Sequence, residues 1–342
     1  MPSSSVTTTL PFELLEHILD LASADYELDS PQSTRQRNDF LRDCSLISRS
    51  FRCPAQACLW AAVRVHNPHT AKKVLSSPVL GMYATRQLDL AGVHAGNEGL
   101  SGTTAARLLG KVRGVRWLRL ADFGRLSARV LQNDNLAGLQ TLVLMTAFPD
   151  KTTVLSTLRF PFHLRTLHLF NRSYGPSILP ILFSACRHSL TSLTLLTNAT
   201  STSYPSLVTA FPEVAPNLRF LSLQHRASRE LTSLFSALTS LTHLECHFAV
   251  NLPTTLDSLP PTGLLSILSL ELDYNLLEVA NVLTSRLDGP VLRNLKVLRI
   301  PRAPLRDEFR EFGGQPLLDK CVEKGIKVEI GQVVAWRTRL FP

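Results

Sequence analysis

Leu164-Arg165-Thr166-Leu167-His168-Leu169 is one of nine occurrences of a six-residue pattern of the form L-x-x-L-x-L, in some of which another residue replaces a leucine, and its recurrence decides the fold. The fourth positions are Leu88, Leu118, Leu142, Leu167, Leu193, Leu221, Leu244, Leu268 and Leu298. The sixth are Leu90, Leu120, Leu144, Leu169, Leu195, Leu223, Cys246, Leu270 and Ile300. Within a unit the apolar residues alternate, as along one face of a strand. Successive copies lie 30, 24, 25, 26, 28, 23, 24 and 30 residues apart, enough for one strand and one helix per step. Helical apolar spacing falls between them at 103–113, 176–187, 205–211, 230–239 and 276–287. One unit cannot bury its own leucines, but a stack can, which predicts α/β structure with a parallel sheet. Ala62-Val63-Arg64-Val65 reads as a strand ahead of the copies, followed by a helix over 70–82. Val328-Glu329-Ile330, 30 residues past Leu298, reads as the last strand. The array is therefore expected over 61–330, with residues 331–342 as a C-terminal tail or cap that includes Trp336.

A doubly wound α/β enzyme also alternates strands and helices. It would ordinarily show a Gly-rich phosphate turn after an early strand. Gly92, Gly96, Gly99 and Gly102 follow the strand at 88–90 but lack G-x-G-x-x-G spacing, and they read as a flexible loop.

Ahead of the array, residues 1–9 are a Ser/Thr-rich tail. Leu10-Pro-Phe-Glu-Leu-Leu-Glu-His-Ile-Leu19 then places apolar side chains along one side of a helix. Pro11 suits the first helical position and Glu13 the positive helix end. The polar stretch 24–38 reads as an exposed loop. Asp39 is expected to cap a second helix carrying Phe40, Leu41, Cys44 and Ile47. Pro54 is expected in the first turn of a third, with Ala55, Cys58, Leu59 and Ala62 on one face.

Three pieces in this order resemble an F-box over residues 10–60: Leu10-Pro-x-Glu-Leu-Leu with Ile18-Leu19, Cys44-Ser-Leu-Ile-Ser-Arg-Ser-Phe-Arg, and Ala55-Gln with Leu59-Trp60. They are most similar to the expanded F-box families of basidiomycete fungi, whose members often carry a divergent leucine-rich array. The long 24–38 segment departs from the short linker of compact F-boxes. The resemblance implies a small three-helix domain followed by an irregular leucine-rich-repeat-like solenoid with its sheet on the concave face. It implies a non-catalytic substrate receptor of a Skp–cullin–F-box ubiquitin ligase. The Skp-type adaptor would be met by Leu10, Pro11, Leu14, Leu15, Ile18, Leu19, Leu46, Ile47, Ser48, Phe51, Leu59 and Trp60. A target protein would be held by side chains that alternate with the leucines: Trp117, Arg119, His168, Phe170, Phe220, Gln224, His243, Glu245, His247, Glu271 and Arg299. An interaction scaffold without a ligase is the second reading.

The formal charge of +9 admits a third, a nucleic-acid binder, but Lys and Arg are scattered and form no basic arm. Six cysteines without a C-x-x-C pair suggest a reducing compartment, cytoplasmic or nuclear. Met1–Thr9 has no signal-peptide pattern, and no apolar run approaches a bilayer span. No P-loop, G-x-S-x-G or H-E-x-x-H is present, and no cofactor is expected. His243-Leu-Glu-Cys-His247 gathers possible ligands. On a strand, however, residues four apart lie roughly 13 Å from each other, too far to share one zinc ion.

Overall fold

The computed structural model describes residues 10–24, 31–92, 99–170, 178–196, 204–224, 231–247, 251–271, 276–300 and 309–330. Every leucine unit forms a strand. The strands are β1 (Ala62–Val65), β2 (Gln87–Ala91), β3 (Trp117–Ala121), β4 (Thr141–Met145), β5 (Thr166–Phe170), β6 (Ser192–Leu196), β7 (Phe220–Gln224), β8 (His243–His247), β9 (Ile267–Glu271), β10 (Val297–Ile300) and β11 (Lys327–Ile330). They make one eleven-stranded, all-parallel sheet in strict chain order. The order never reverses, so the sheet lacks the switch point at which a doubly wound fold opens its ligand crevice.

The register is set by the leucines. Leu88 pairs with Leu118, Leu118 with Leu142, and so on through Leu298 and Val328. A slip of one residue would turn every leucine to the other face, so burial fixes the pairing. One continuous core runs from Val65 to Ile326, with Phe148, Phe162, Phe183, Phe211, Phe235 and Phe309 fully buried in it.

The length of each step decides what returns the chain to the next strand. Steps of 26 to 30 residues hold helices of eight to eleven residues, such as Gly102–Leu109, Ile178–Cys186, Tyr204–Val214 and Leu276–Arg286. Steps of 23 to 25 hold 3-10 turns or helices of at most seven residues. The helix expected at 230–239 is accordingly a 3-10 turn, Thr232–Ala237. A 3-10 turn rises about 2.0 Å per residue against 1.5 Å for an α-helix, so it covers the return with less chain. The helix expected at 70–82 is shorter, Pro68–Ser76, and is started by Asn67, whose side chain accepts from the Thr70 amide at 2.8 Å.

Two of the loop glycines are not there for flexibility. A Cβ on Gly92 would lie 2.6 Å from the Asp122 carbonyl oxygen, and one on Gly102 would lie 2.3 Å from that of Arg125. Both permit close backbone approach between neighbouring steps. Gly102→Ala is expected to cost at least about 2 kcal/mol in urea unfolding, because backbone rather than a side-chain tip must move. A loss below half of that would refute the close approach. Gly96 lies outside the described residues.

The N-terminal segment forms α1 (Phe12–Ala24), α2 (Pro31–Ile47) and α3 (Arg49–Ala61). Leu19, Leu41, Cys44, Ala55 and Cys58 make its core, with Phe40, Phe51 and Leu59 against them. Two boundaries differ from expectation. The exposed loop expected over 24–38 is helix from Pro31 onward, and residues 25–30 lie outside the described ones. Pro31 takes the first helical position. Arg37, read as solvated, is buried, and its Nη2 donates to the Cys58 carbonyl at 3.0 Å. Polarity was thus a poor guide to exposure here. Asp39 is not a cap but sits inside α2, paired with Arg42 at 3.0 Å. Pro54 is buried in the middle of α3 rather than in its first turn. The helix starts at Ser48, whose Oγ accepts from the Phe51 amide at 3.4 Å.

Chain continuity from α3 into β1 joins the helices to the sheet. Arg86 with Glu16, and Tyr83 with Gln56, each at 3.1 Å, tie them from the side.

Candidate functional site

Two surfaces collect the residues singled out above. On α1, helical periodicity separates two stripes. Leu15 and Leu19 turn inward and are buried at 3% exposure. Both were expected to touch an adaptor; Leu19 instead packs in the core of the helical segment, and Leu15 is buried as well. Leu10, Leu14, Ile18 and Leu21 occupy the outer stripe, with Phe12 beside them, all exposed. At the end of α2, Leu46 and Ile47 are 73% and 68% exposed. Pro11 is exposed, Phe51, Leu59 and Trp60 are half-buried, and Ser48 serves as the α3 cap. Phe12 and Leu21 escaped the sequence reading. Leu21, three residues past Ile18 and seven past Leu14, carried helical spacing as a sign; Phe12, two residues from Leu10 and Leu14, did not.

The second surface is the sheet face opposite the leucines. At its N-terminal end Asp89 is buried among cations. Its carboxylate lies 3.2 Å from Arg64 Nε and 2.9 Å from His66 Nε2, and it accepts from Arg119 Nη1 at 3.1 Å through both oxygens. Burial alone would raise the Asp89 pKa. The His66 hydrogen bond and the charges of Arg119, His66 and Arg64 outweigh it and hold the carboxyl below its usual range. Arg119 is therefore engaged within the sheet, where an open contact residue was expected. Next comes an apolar patch of Trp117, Val143 and Phe170, flanked by Met145 and Leu196. Trp117, at 3% exposure, is packed rather than presented.

Beyond that patch the face opens into a cavity of about 240 Å³ over β5 to β8. Thr166, His168, Phe170, Ser192, Thr194, Leu196, Phe220, Ser222, Glu245 and His247 line it. Ser222 Oγ and His247 Nε2 are 2.9 Å apart, and Glu245 Oε1 lies 3.6 Å from the same Nε2. A Ser-His-acid relay needs the acid on the other ring nitrogen, so this trio does not have the geometry of a hydrolase triad. Phe220 meets His243 edge-on, with ring centroids 4.7 Å apart. Burial pulls the His168 pKa down to about 4, and its Nδ1 has no hydrogen-bond partner among the described residues.

Of the eleven side chains expected to face a target, the structure gathers five around one cavity: His168, Phe170, Phe220, Glu245 and His247. Trp117 and Arg119 belong to the adjoining packed region, and His243 flanks Phe220. Arg299 sits at the far end, donating to Glu329 at 2.7 Å. Gln224 and Glu271 end β7 and β9, with side chains outside the described ones. The hydroxyl lining of Thr166, Ser192, Thr194 and Ser222 was missed. These residues share the outward positions of the repeated unit, but small hydroxyl side chains are ordinary in strands and gave no reason to select them.

Among the described residues no three His, Cys, Asp or Glu side chains converge as a metal-holding group. No helix among them is long and apolar enough to cross a membrane. The class that fold and site define is an α/β protein with an eleven-stranded parallel sheet, which carries a polar cavity on one face and an apolar-surfaced helical segment at its start. Comparison with models of known protein families and with curated proteins finds no match.

Proposed function

We propose that the chain is the substrate receptor of a Skp–cullin–F-box ubiquitin ligase. Residues 10–60 act as the F-box that docks on a Skp-type adaptor, and the leucine-rich-repeat-like array of 61–330 holds a target protein. Catalysis then comes from the partners, and this chain contributes proximity. The observation that carries the reading is the exposed apolar set Leu10, Phe12, Leu14, Ile18, Leu21, Leu46 and Ile47. The helices already have a core of their own, so this surplus is available to a partner. Strands paired in strict chain order support the second half of the reading, since such a sheet presents one long face.

The test is co-purification from the native cell. The wild-type chain is expected to bring down adaptor and cullin. Replacing Leu10 and Pro11 together by Ala, or Leu14 and Leu46 together by Asp, is expected to abolish that capture with unchanged melting of the array. Burying two such leucines contributes roughly 3 kcal/mol or more, which is about a hundredfold in affinity. Undiminished adaptor capture by both folded variants would sink the proposal.

A further inference from the structure

The cavity over β5 to β8 has a chemistry of its own. Its walls offer acceptors: the Glu245 carboxylate and the hydroxyls of Ser222 and Thr194, both buried. Phe170, Leu196 and Phe220 supply apolar and aromatic surface beside them. No Lys or Arg is among the lining residues, and Glu245 is the one carboxylate there, with His247 as its neighbour at 3.6 Å. His168, only 7% exposed, lines the same space, and its Nδ1 has no partner among the described residues. Low proton affinity leaves that ring uncharged near neutral pH, so it does not repel a cation.

We propose that this cavity receives one protonated amine side chain, of the lysine type, from a partner protein. Volume decides between a side chain and a cofactor. At about 240 Å³ the space falls below the roughly 300–1,000 Å³ of pockets that take drug-sized ligands. The alkyl stem would lie along Phe170 and Leu196, and the ammonium would meet the Glu245 carboxylate and the Ser222 and Thr194 hydroxyls. An ammonium brings three donors and no acceptor, which suits a wall of acceptors. His247 is one of the groups that Glu245 meets, and a carboxylate accepts at about four lone-pair positions. Aromatic faces within reach add cation–π attraction.

The inference deepens the substrate-receptor reading, on which it rests for its biological meaning. Its test involves no adaptor, so adaptor capture and cavity occupancy fail independently. The intact chain is titrated by NMR with Nα-acetyl-lysine methylamide, its norleucine counterpart and its glutamate counterpart. The lysine probe is expected to bind saturably and at least about tenfold more tightly than the norleucine probe. Glu245→Gln is expected to remove most of that preference. Because Glu245 is buried, Thr194→Val serves as the second variant, keeping shape while deleting one acceptor; it should weaken the lysine probe about threefold or more. Absence of saturable lysine binding, equal binding of lysine and norleucine probes, preference for glutamate, or undiminished lysine binding in both variants would each overturn the proposal.

Discussion

Phe183→Ala is expected to lower the unfolding free energy by about 3–5 kcal/mol. Phe183 lies on the helix Ile178–Cys186 with no exposed surface, inside the single core that runs the length of the sheet. That helix packs on Tyr204–Val214 of the next step, and a parallel sheet lies beneath both. A parallel ladder with every leucine paired to its neighbour cannot easily close over the lost ring. The cost therefore includes the cavity as well as the lost transfer energy. Val322→Ala is the matched control: at 74% exposure it should change stability by no more than about 0.5 kcal/mol. Urea unfolding of the two variants against wild type measures both. If they lie within about 1 kcal/mol of each other, the burial assigned to Phe183 is wrong.

The second large effect depends on pH and belongs to His168. Burial lowers its pKa from the usual 6.5 to about 4 in the native state. The unfolded chain takes up a proton near pH 6.5, but the native chain refuses it until about pH 4. Between those values the unfolded state binds more protons, so stability falls as the pH is lowered and levels off below about 4. The shift corresponds to about 3 kcal/mol, present in full above pH 6.5. His168→Gln removes the titrating group. The difference in stability between wild type and variant should therefore shrink or reverse by about that amount from pH 7 to pH 4, with other groups cancelling in the comparison. A pH-independent difference would mean that the ring is not buried as described.

Much of this architecture was legible because leucine at positions four and six of each unit leaves one register that buries both. Leu88 through Leu298 specified nine strands and their neighbours without further information. The connections were less legible. The sequence pattern at 230–239 is helical, but a 23-residue step leaves chain for only a 3-10 turn, a limit imposed by distance rather than by propensity. The start of α2 was hidden for another reason. Gln32, Ser33, Arg35 and Arg37 look like loop residues until Cys58 of α3 supplies a carbonyl for the Arg37 guanidinium. On the face opposite the repeated leucines, alternation identified His168, Phe220, Glu245 and His247 as sharing a side. Which of them meet depends on strand neighbours 23 to 28 residues away. That adjacency also turned Ser222 and Thr194 from background into cavity wall. The α1 helix shows the same at shorter range: Ile18 and Leu19 are both large and apolar, but Leu19 packs with Leu41, Ala55 and Cys58 while Ile18 is left outside.

Strict chain order has a consequence for how the molecule is made. Each strand joins an edge formed 23 to 30 residues earlier, and loop-closure entropy across that range differs by only about 0.2 kcal/mol. No strand waits for a distant segment of the chain. During synthesis from the N-terminus, each new strand therefore emerges beside an edge that already exists, so the sheet can grow on the ribosome one rung at a time.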